Sequence, residues 1–283
     1  MKPSVPFCFN FRGKLFDFST PQVMAIVNVT PDSFYSASRF ISEKEVLIYV
    51  EKALNEGAKI IDIGAYSTRP FASQISEKEE IERLTFSLKT IRSQFPDILL
   101  SVDTFRSNVA KFVVNEFDVQ IINDVSGGTL DEKMFETVAN LNVAYVLMHM
   151  RGTSETMLQM TDYKNLTSEI IHFFENRISA LNHLGVKDII IDPGFGFAKT
   201  MEQNYELLSK LNYFKELGFP ILVGISRKSM IYKLLENAPE EALNGTTALN
   251  TLALLNGANI LRVHDVKEAV ETIKIVQKYL TQQ

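Results

Sequence analysis

The sequence predicts a closed (β/α)8 TIM barrel preceded by an N-terminal β-hairpin, and three observations carry that expectation. Short, wholly apolar runs rich in β-branched residues recur along the chain, as parallel strands buried on both faces require. Helical patterns separate them, giving about eight strand–helix units. Polar or ionisable residues end nearly every run: Asp103, Asn123-Asp124, Asp192, Ser226 and His264 are examples. An open doubly wound sheet gathers ligand groups chiefly where its strand order switches. Only a closed barrel brings all of these strand ends around one centre.

Composition bounds the reading. At 283 residues the chain suits one α/β barrel, so a single domain over 1–283 is expected. A net charge of -5 argues against nucleic acid or an acidic membrane as main partner, although local Arg and Lys clusters leave an anionic substrate open. Cys8 is the only cysteine, which excludes an intrachain disulfide and suits a reducing cytoplasm. No run approaches the ~18 apolar residues of a membrane span, and Met1-Lys-Pro-Ser does not read as a secretory leader. A soluble cytoplasmic protein is the expectation.

Taken in order, residues 7–18 alternate apolar and polar around Arg12-Gly13-Lys14, a hairpin whose phenylalanines suit a plug for one end of a core. A first buried strand covers 24–29, and Thr30 to Arg39 is a polar loop with aromatics, the composition of an active-site cover. Ser42-Glu-Lys-Glu45 is a capping box opening a helix that stops at Gly57. Further strands are expected at 59–64, 99–103, 120–124, 144–149, 188–192, 220–226 and 259–264. Helices are expected at 77–94, from Thr104 or Ser107, at 164–184 and 202–217, from Ser229, and after Gly245. Asp265 is placed to cap a final helix whose Val266, Ala269, Val270, Ile273, Val276 and Leu280 form one apolar stripe.

The stretch 188–197, Asp-Ile-Ile-Ile-Asp-Pro-Gly-Phe-Gly-Phe, delivers one carboxylate at a strand end before Pro193-Gly194 stops the strand. Together with Asn28-Val-Thr-Pro-Asp-Ser-Phe34, Ser67-Thr-Arg-Pro70, Ser101-Val-Asp-Thr104, Ile122-Asn-Asp-Val-Ser-Gly127, Ser226-Arg-Lys-Ser229 and Arg262-Val-His264, it resembles dihydropteroate synthase. The resemblance covers nearly the whole chain in order. It implies condensation of a dihydropterin methyl diphosphate with 4-aminobenzoate, releasing pyrophosphate, in folate synthesis. It also implies a homodimer and Mg2+, with Asn28 as the metal contact.

The residue chemistry agrees with that implication. A pterin edge presents two adjacent N–H donors that match the two oxygens of Asp192. Asn123 can donate and accept beside it, Lys228 can reach the ring carbonyl and N5, and Met148 and Phe197 suit the faces of a flat ring. If the C–O bond to diphosphate breaks before the amine attacks, Asp103 would stabilise the resulting cation, with Lys228 positioning the ring. Arg69, Arg262 and His264 would bring positive charge to the leaving group, beside Asn28, and His264 can also donate a proton. Phe34, Thr68, Pro70 and Ser229 would form the aminobenzoate site, with Ser229 at a helix start whose N–H groups favour a carboxylate. Taken singly, Asp192 reads as a loop cap, Asn123 as a turn residue, Asp103 as a helix cap, Lys228 as solvated and Met148 as core. The ordered set is what points to a site.

Two loops depart from the pattern the family usually shows. Tyr35-Ser-Ala-Ser-Arg39 stands where a glycine-rich segment is common, and Tyr66 and Phe71 flank Ser67-Thr-Arg-Pro70. Phe71 either narrows the pocket mouth and penalises sulfonamides more than 4-aminobenzoate, or turns outward or packs on Phe34 or Tyr66 with no effect on ligands. A corrinoid-linked pterin methyltransferase has no need of Arg69, Arg262 and His264 around a diphosphate. A non-catalytic pterin-binding protein need not keep Asp103, Lys228 and the basic cluster.

Overall fold

Alternation of side chains along each strand sorts the apolar residues of this chain into two cores, and the site occupies one end of the inner core. A computed structural model describes residues 7–11, 14–29, 42–66 and 75–282. The loop 30–39 with Phe34, and Ser67, Thr68, Arg69, Pro70 and Phe71, lie outside the described residues.

Strands β1 (Cys8–Phe11) and β2 (Lys14–Asp17) pair antiparallel with Phe9 opposite Phe16, the expected hairpin. Eight parallel strands follow: β3 (Gln22–Asn28), β4 (Ile60–Gly64), β5 (Leu99–Asp103), β6 (Ile121–Asp124), β7 (Ala144–Met148), β8 (Ile189–Asp192), β9 (Leu222–Val223) and β10 (Ile260–Val263). They run in the order β8-β7-β6-β5-β4-β3-β10-β9, and a bridge between Ile191 and Ile221 closes the ring. Between them lie α1 (Glu43–Glu56), α2 (Glu77–Gln94), α3 (Ser107–Phe117), α4 (Met134–Leu141), α5 (Leu166–His183), α6 (Met201–Ser209), α7 (Ser229–Tyr232) and α8 (Leu243–Leu255). Helix α9 (Val266–Leu280) ends the fold, which is the expected (β/α)8 barrel. No described helix is long and apolar enough to cross a membrane.

One parity of each strand, such as Ile61 and Ile63 or Leu100 and Val102, packs outward with helix residues including Val46, Leu84 and Val113. The other parity fills the lower barrel with Met24, Ile60, Leu99, Ile121, Ile190 and Ile260. Phe9 and Phe18 of the hairpin join that inner core, their rings edge to face at 5.0 Å. The Asn259 side-chain amide, at the start of β10, donates to the Phe18 carbonyl at 3.1 Å and ties the plug to the barrel floor.

Local signals hold in several places. Ser42 and Glu45 form the capping box, and Gly57 ends α1 with a φ of 107° that favours glycine. Elsewhere packing overrides them. The helix expected at 202–217 ends at Ser209 and continues as a 3-10 turn over Leu211–Leu217, whose i, i+3 spacing aligns buried Leu211 with Phe214. The strand expected at 220–226 narrows to Leu222–Val223, because Pro220 lacks an N–H and Gly224 lies under Arg262. Gly245 lies inside α8 rather than before it, since a Cβ there would strike Ile231 of α7. Asp265 does not cap α9 through its side chain; Arg227 takes both carboxylate oxygens at 2.8 Å.

Candidate active site at the mouth of the barrel

Moving two residues up from the apolar floor, on the same parity, changes the chemistry of the interior. Asp62 follows Ile60, Ser101 follows Leu99, Asn123 follows Ile121, Asp192 follows Ile190, and Arg262 follows Ile260. Asp103 and Met148 end their strands one step higher, Asp103 in register with Asn123 and Met148 with Asp192. The fold thus brings together Asp103, Asn123, Met148, Asp192 and Arg262 as expected.

On one side of the mouth, Arg262 joins two carboxylates. Its Nε donates to Asp62 Oδ2 at 2.7 Å and its Nη2 to Asp103 Oδ2 at 3.0 Å. Asn123 Nδ2 donates to the same Asp62 oxygen at 3.1 Å. Burial pushes the Asp103 carboxyl up to about 7; Arg262 works against that rise, and the nearby Asp62 charge adds to it. Burial likewise opposes charge on Arg262, but Asp62 and Asp103 outweigh it and hold the guanidinium charged. Asp103 does not cap α3, which begins after Arg106 with no side-chain cap.

On the other side stand Asp192, Lys228, Phe197 and Met148. Asp192 Oδ1 accepts the Gly194 N–H at 2.8 Å, so the carboxylate also ties its own loop. Burial raises its pKa, with Lys228 the largest opposing influence. Burial pushes the Lys228 ammonium down to about 8 while Asp192 pulls it up. Lys228 donates to the Phe195 carbonyl and lies 4.6 Å from the Phe197 ring centroid, so it is packed rather than solvated. Met148, 3% exposed, packs in a small cluster against Phe197 and Phe105. Arg227 adopts a φ of 55°, costly for a residue with a Cβ. Its bidentate pair with Asp265 secures that backbone, and the next side chain, Lys228, enters the mouth.

The expected diphosphate side is corrected at His264. Its backbone N–H donates to Ser226 Oγ at 3.2 Å, and its ring Nδ1 shares a second hydrogen bond with that hydroxyl at 3.0 Å. Burial first, then Arg262, Arg227 and Lys228, push its pKa down to about 3. At that value the ring is neutral near pH 7, which disfavours the expected role of His264 as a source of positive charge. Asn28 ends β3 opposite Gly64; a Cβ on Gly64 would lie 3.7 Å from Asn28 Oδ1 and 3.6 Å from Asp103 Cβ. Ser229 begins α7 as expected, but that helix is a single turn and supplies little of the dipole expected there.

Four residues have no role in the sequence reading. Asp62 is the lone charge within an otherwise apolar strand, and its inward parity was the available signal. Ser226 and His149 carried none beyond ending apolar runs. Buried Lys199 donates to the Gly194 and Phe197 carbonyls at 2.9 and 3.0 Å and shares a hydrogen bond with His149 Nδ1 at 3.1 Å. It clasps the loop that carries Asp192, and burial pushes its pKa down to about 7. Tyr66 packs edge to face on Phe105 at 5.1 Å, with the Arg106 guanidinium 5.4 Å from its ring centroid.

A barrel mouth built from these strand ends defines a class. The family model described as pterin binding enzyme matches residues 24–264. The chain is 39% identical over 268 residues to the dihydropteroate synthase of Haemophilus influenzae, covering 94% of this chain and 96% of that one. A crystal structure of Yersinia pestis dihydropteroate synthase with a sulfonamide drug complex superposes with a TM-score of 0.91 at 37% identity, covering 97% of this chain and 99% of that one. A dihydropteroate synthase from Coxiella burnetii, in complex with pteroic acid, gives a TM-score of 0.87 at 36% identity, covering 98% of this chain and all of that one (100%). The chain belongs to the dihydropteroate synthase family of pterin-binding enzymes.

Proposed function

We infer that this chain is a transferase that condenses a 7,8-dihydropterin-6-ylmethyl diphosphate with 4-aminobenzoate to give 7,8-dihydropteroate and pyrophosphate. The observation that carries the reading is the division of the mouth into two facing sets: Asp192 with Lys228, and Arg262 with Asp103. The first set suits a pterin, with Asp192 on its two N–H donors, Asn123 beside it, Lys228 on the ring carbonyl and N5, and Met148 and Phe197 on the ring faces. The Coxiella protein is described with pteroic acid, which joins the pterin and aminobenzoate halves of this reaction's product.

The second set suits bond cleavage. The bond from the exocyclic methylene to the diphosphate oxygen breaks, and the pair of electrons leaves with the diphosphate. Arg262, Arg69 and His264 receive that growing charge. Asp103, ionised, faces the cation left on the methylene and pterin. The aminobenzoate, held through Phe34, Thr68, Pro70 and Ser229, then bonds to the methylene through its nitrogen, which gives up a proton to solvent.

Mg2+ fits this arrangement. Among the described residues no three His, Cys, Asp or Glu form a metal cluster. Mg2+ takes oxygen ligands, commonly one or two carboxylates with substrate phosphates and water. Asn28 Oδ1, beside Gly64 and Asp103, would be a neutral oxygen ligand for it. When bound, the ion would neutralise charge on the leaving diphosphate. We also propose a homodimer, for which exposed Leu252, Leu255, Ile275 and Tyr279 on α8 and α9 offer an apolar surface; sedimentation checks it.

The deciding assay supplies the pterin diphosphate, 4-aminobenzoate and Mg2+ and follows pyrophosphate. Release that depends on 4-aminobenzoate is expected. Pterin binding without release would point instead to a non-catalytic pterin-binding protein.

A further inference from the structure

Asp62 is wholly buried, and among the described residues both of its hydrogen bonds end on one oxygen. Oδ2 accepts Arg262 Nε at 2.7 Å and Asn123 Nδ2 at 3.1 Å. Oδ1 is buried with no hydrogen-bond partner among the described residues. A carboxylate kept for stability alone would have both oxygens satisfied, because an unpaired buried oxygen is costly. Replacing a buried ion pair by apolar side chains is often neutral or stabilising. The position of Asp62 therefore asks for a reason other than stability.

The two donors share one side of the mouth but serve different ligands. On the substrate reading Asn123 takes the pterin and Arg262 the diphosphate. By accepting from Nδ2, Asp62 settles which way the Asn123 amide faces, since the flipped amide would set its oxygen against the carboxylate. By accepting from Nε while Asp103 accepts from Nη2, the two carboxylates fix the guanidinium plane. Among the described residues Arg262 Nη1 has no partner, so it remains for another acceptor.

We propose that Asp62 is a positioning residue that couples the two half-sites, so that an anion on Arg262 strengthens pterin binding through Asn123, and the reverse. This rests on the substrate reading above. An anion held by Nη1 removes the freedom that the two carboxylates leave Arg262, and the shared Oδ2 then restrains Asp62 and the Asn123 amide. The ordering cost is met once for both ligands, which gives positive coupling without a change of fold. Coupling of this kind is reciprocal.

The test is calorimetry with 6-hydroxymethylpterin, which has no leaving group, with and without saturating pyrophosphate and Mg2+. In the unaltered chain pyrophosphate should tighten pterin binding about fivefold or more, the low end of coupling between linked sites. In Asp62→Asn the factor should fall to about one. A merely structural carboxylate would weaken each ligand separately and leave the factor unchanged. Asn123→Ser breaks the other bond to Oδ2 and keeps the test open where Asp62→Asn fails to fold. Its factor, read as pyrophosphate affinity with and without the pterin, should also fall to about one. A factor retained in either folded variant, or none in the unaltered chain, overturns the proposal. Failure of the unaltered chain to bind the pterin at all would overturn the substrate reading itself, a separate and distinguishable result.

Discussion

The two ends of the barrel interior are built on the same strands and the same side-chain parity, yet they do opposite things. At the floor, Ile60, Ile121, Ile190 and Ile260 close on Phe9 and Phe18, with hydrocarbon on every side. Two residues higher the same strands present Asp62, Asn123, Asp192 and Arg262. The floor contributes stability through apolar burial, at roughly 25 cal/mol per Å². The mouth buries charges whose desolvation opposes folding and is offset only in part by their mutual contacts. A barrel of this kind is made stable at one end so that it can hold poorly solvated charge at the other.

The largest expected effect tests the floor. Phe18→Ala removes a fully buried ring and should cost about 3–5 kcal/mol of stability, read from denaturant midpoints. Michaelis constants for both substrates should stay put in the folded variant. A loss below about 1 kcal/mol, far under the range for such truncations, would mean the hairpin is no plug.

Asp103→Asn tests the mouth from the other side. Turnover should fall on the order of 10²–10³-fold, as for loss of one preorganised electrostatic contact. The pH profile sharpens this. Asp103 ionises near 7 and Lys228 loses its proton near 8, so kcat/KM should rise through about 7 and fall through about 8. The acid limb should vanish in Asp103→Asn. Stability carries the matching sign. The folded chain holds the Asp103 proton from the unfolded carboxylate value near 4 up to about 7, so this group's contribution is full below about 4 and lost as pH rises through about 7. Asp103→Asn should remove that slope; an unaltered slope would assign it elsewhere.

The smallest effect concerns pterin recognition. Asp192→Asn keeps the side chain's size but turns one acceptor into a donor, and should cost roughly 1.5–3 kcal/mol in pterin affinity. Calorimetry giving the same affinity in a folded variant would rule out Asp192 as the pterin anchor.

Much of this contrast was legible in the sequence, because strand parity is local and visible. Ile-Ile-Ile before Asp192 already says strand, burial and delivery of one carboxylate. The hairpin plug and the first helix cap were legible for the same reason, since each signal lies within a few residues. What stayed hidden depends on partners far apart in sequence. Asp265 reads as a helix cap until Arg227, 38 residues away, takes its oxygens. His264 reads as a cation until its neighbours prove to be three other cations and a serine hydroxyl. Asp62 sits mid-strand, and nothing local says that Asn123 and Arg262 will meet on one of its oxygens.

The ring is not equally fastened all round. Strands β7 and β8 pair in register from Tyr145↔Ile189 to Met148↔Asp192, whereas β8 and β9 meet in the single bridge Ile191↔Ile221. Asp192 stands at the end of one bank of that seam, and Lys228 follows the other. A pterin gripped by both would act as a cross-tie over the least hydrogen-bonded joint of the barrel. Amide exchange at Leu222 and Val223 should then be the fastest in the sheet, and slow most when the pterin binds. The bound substrate would complete the hoop that the backbone leaves thin.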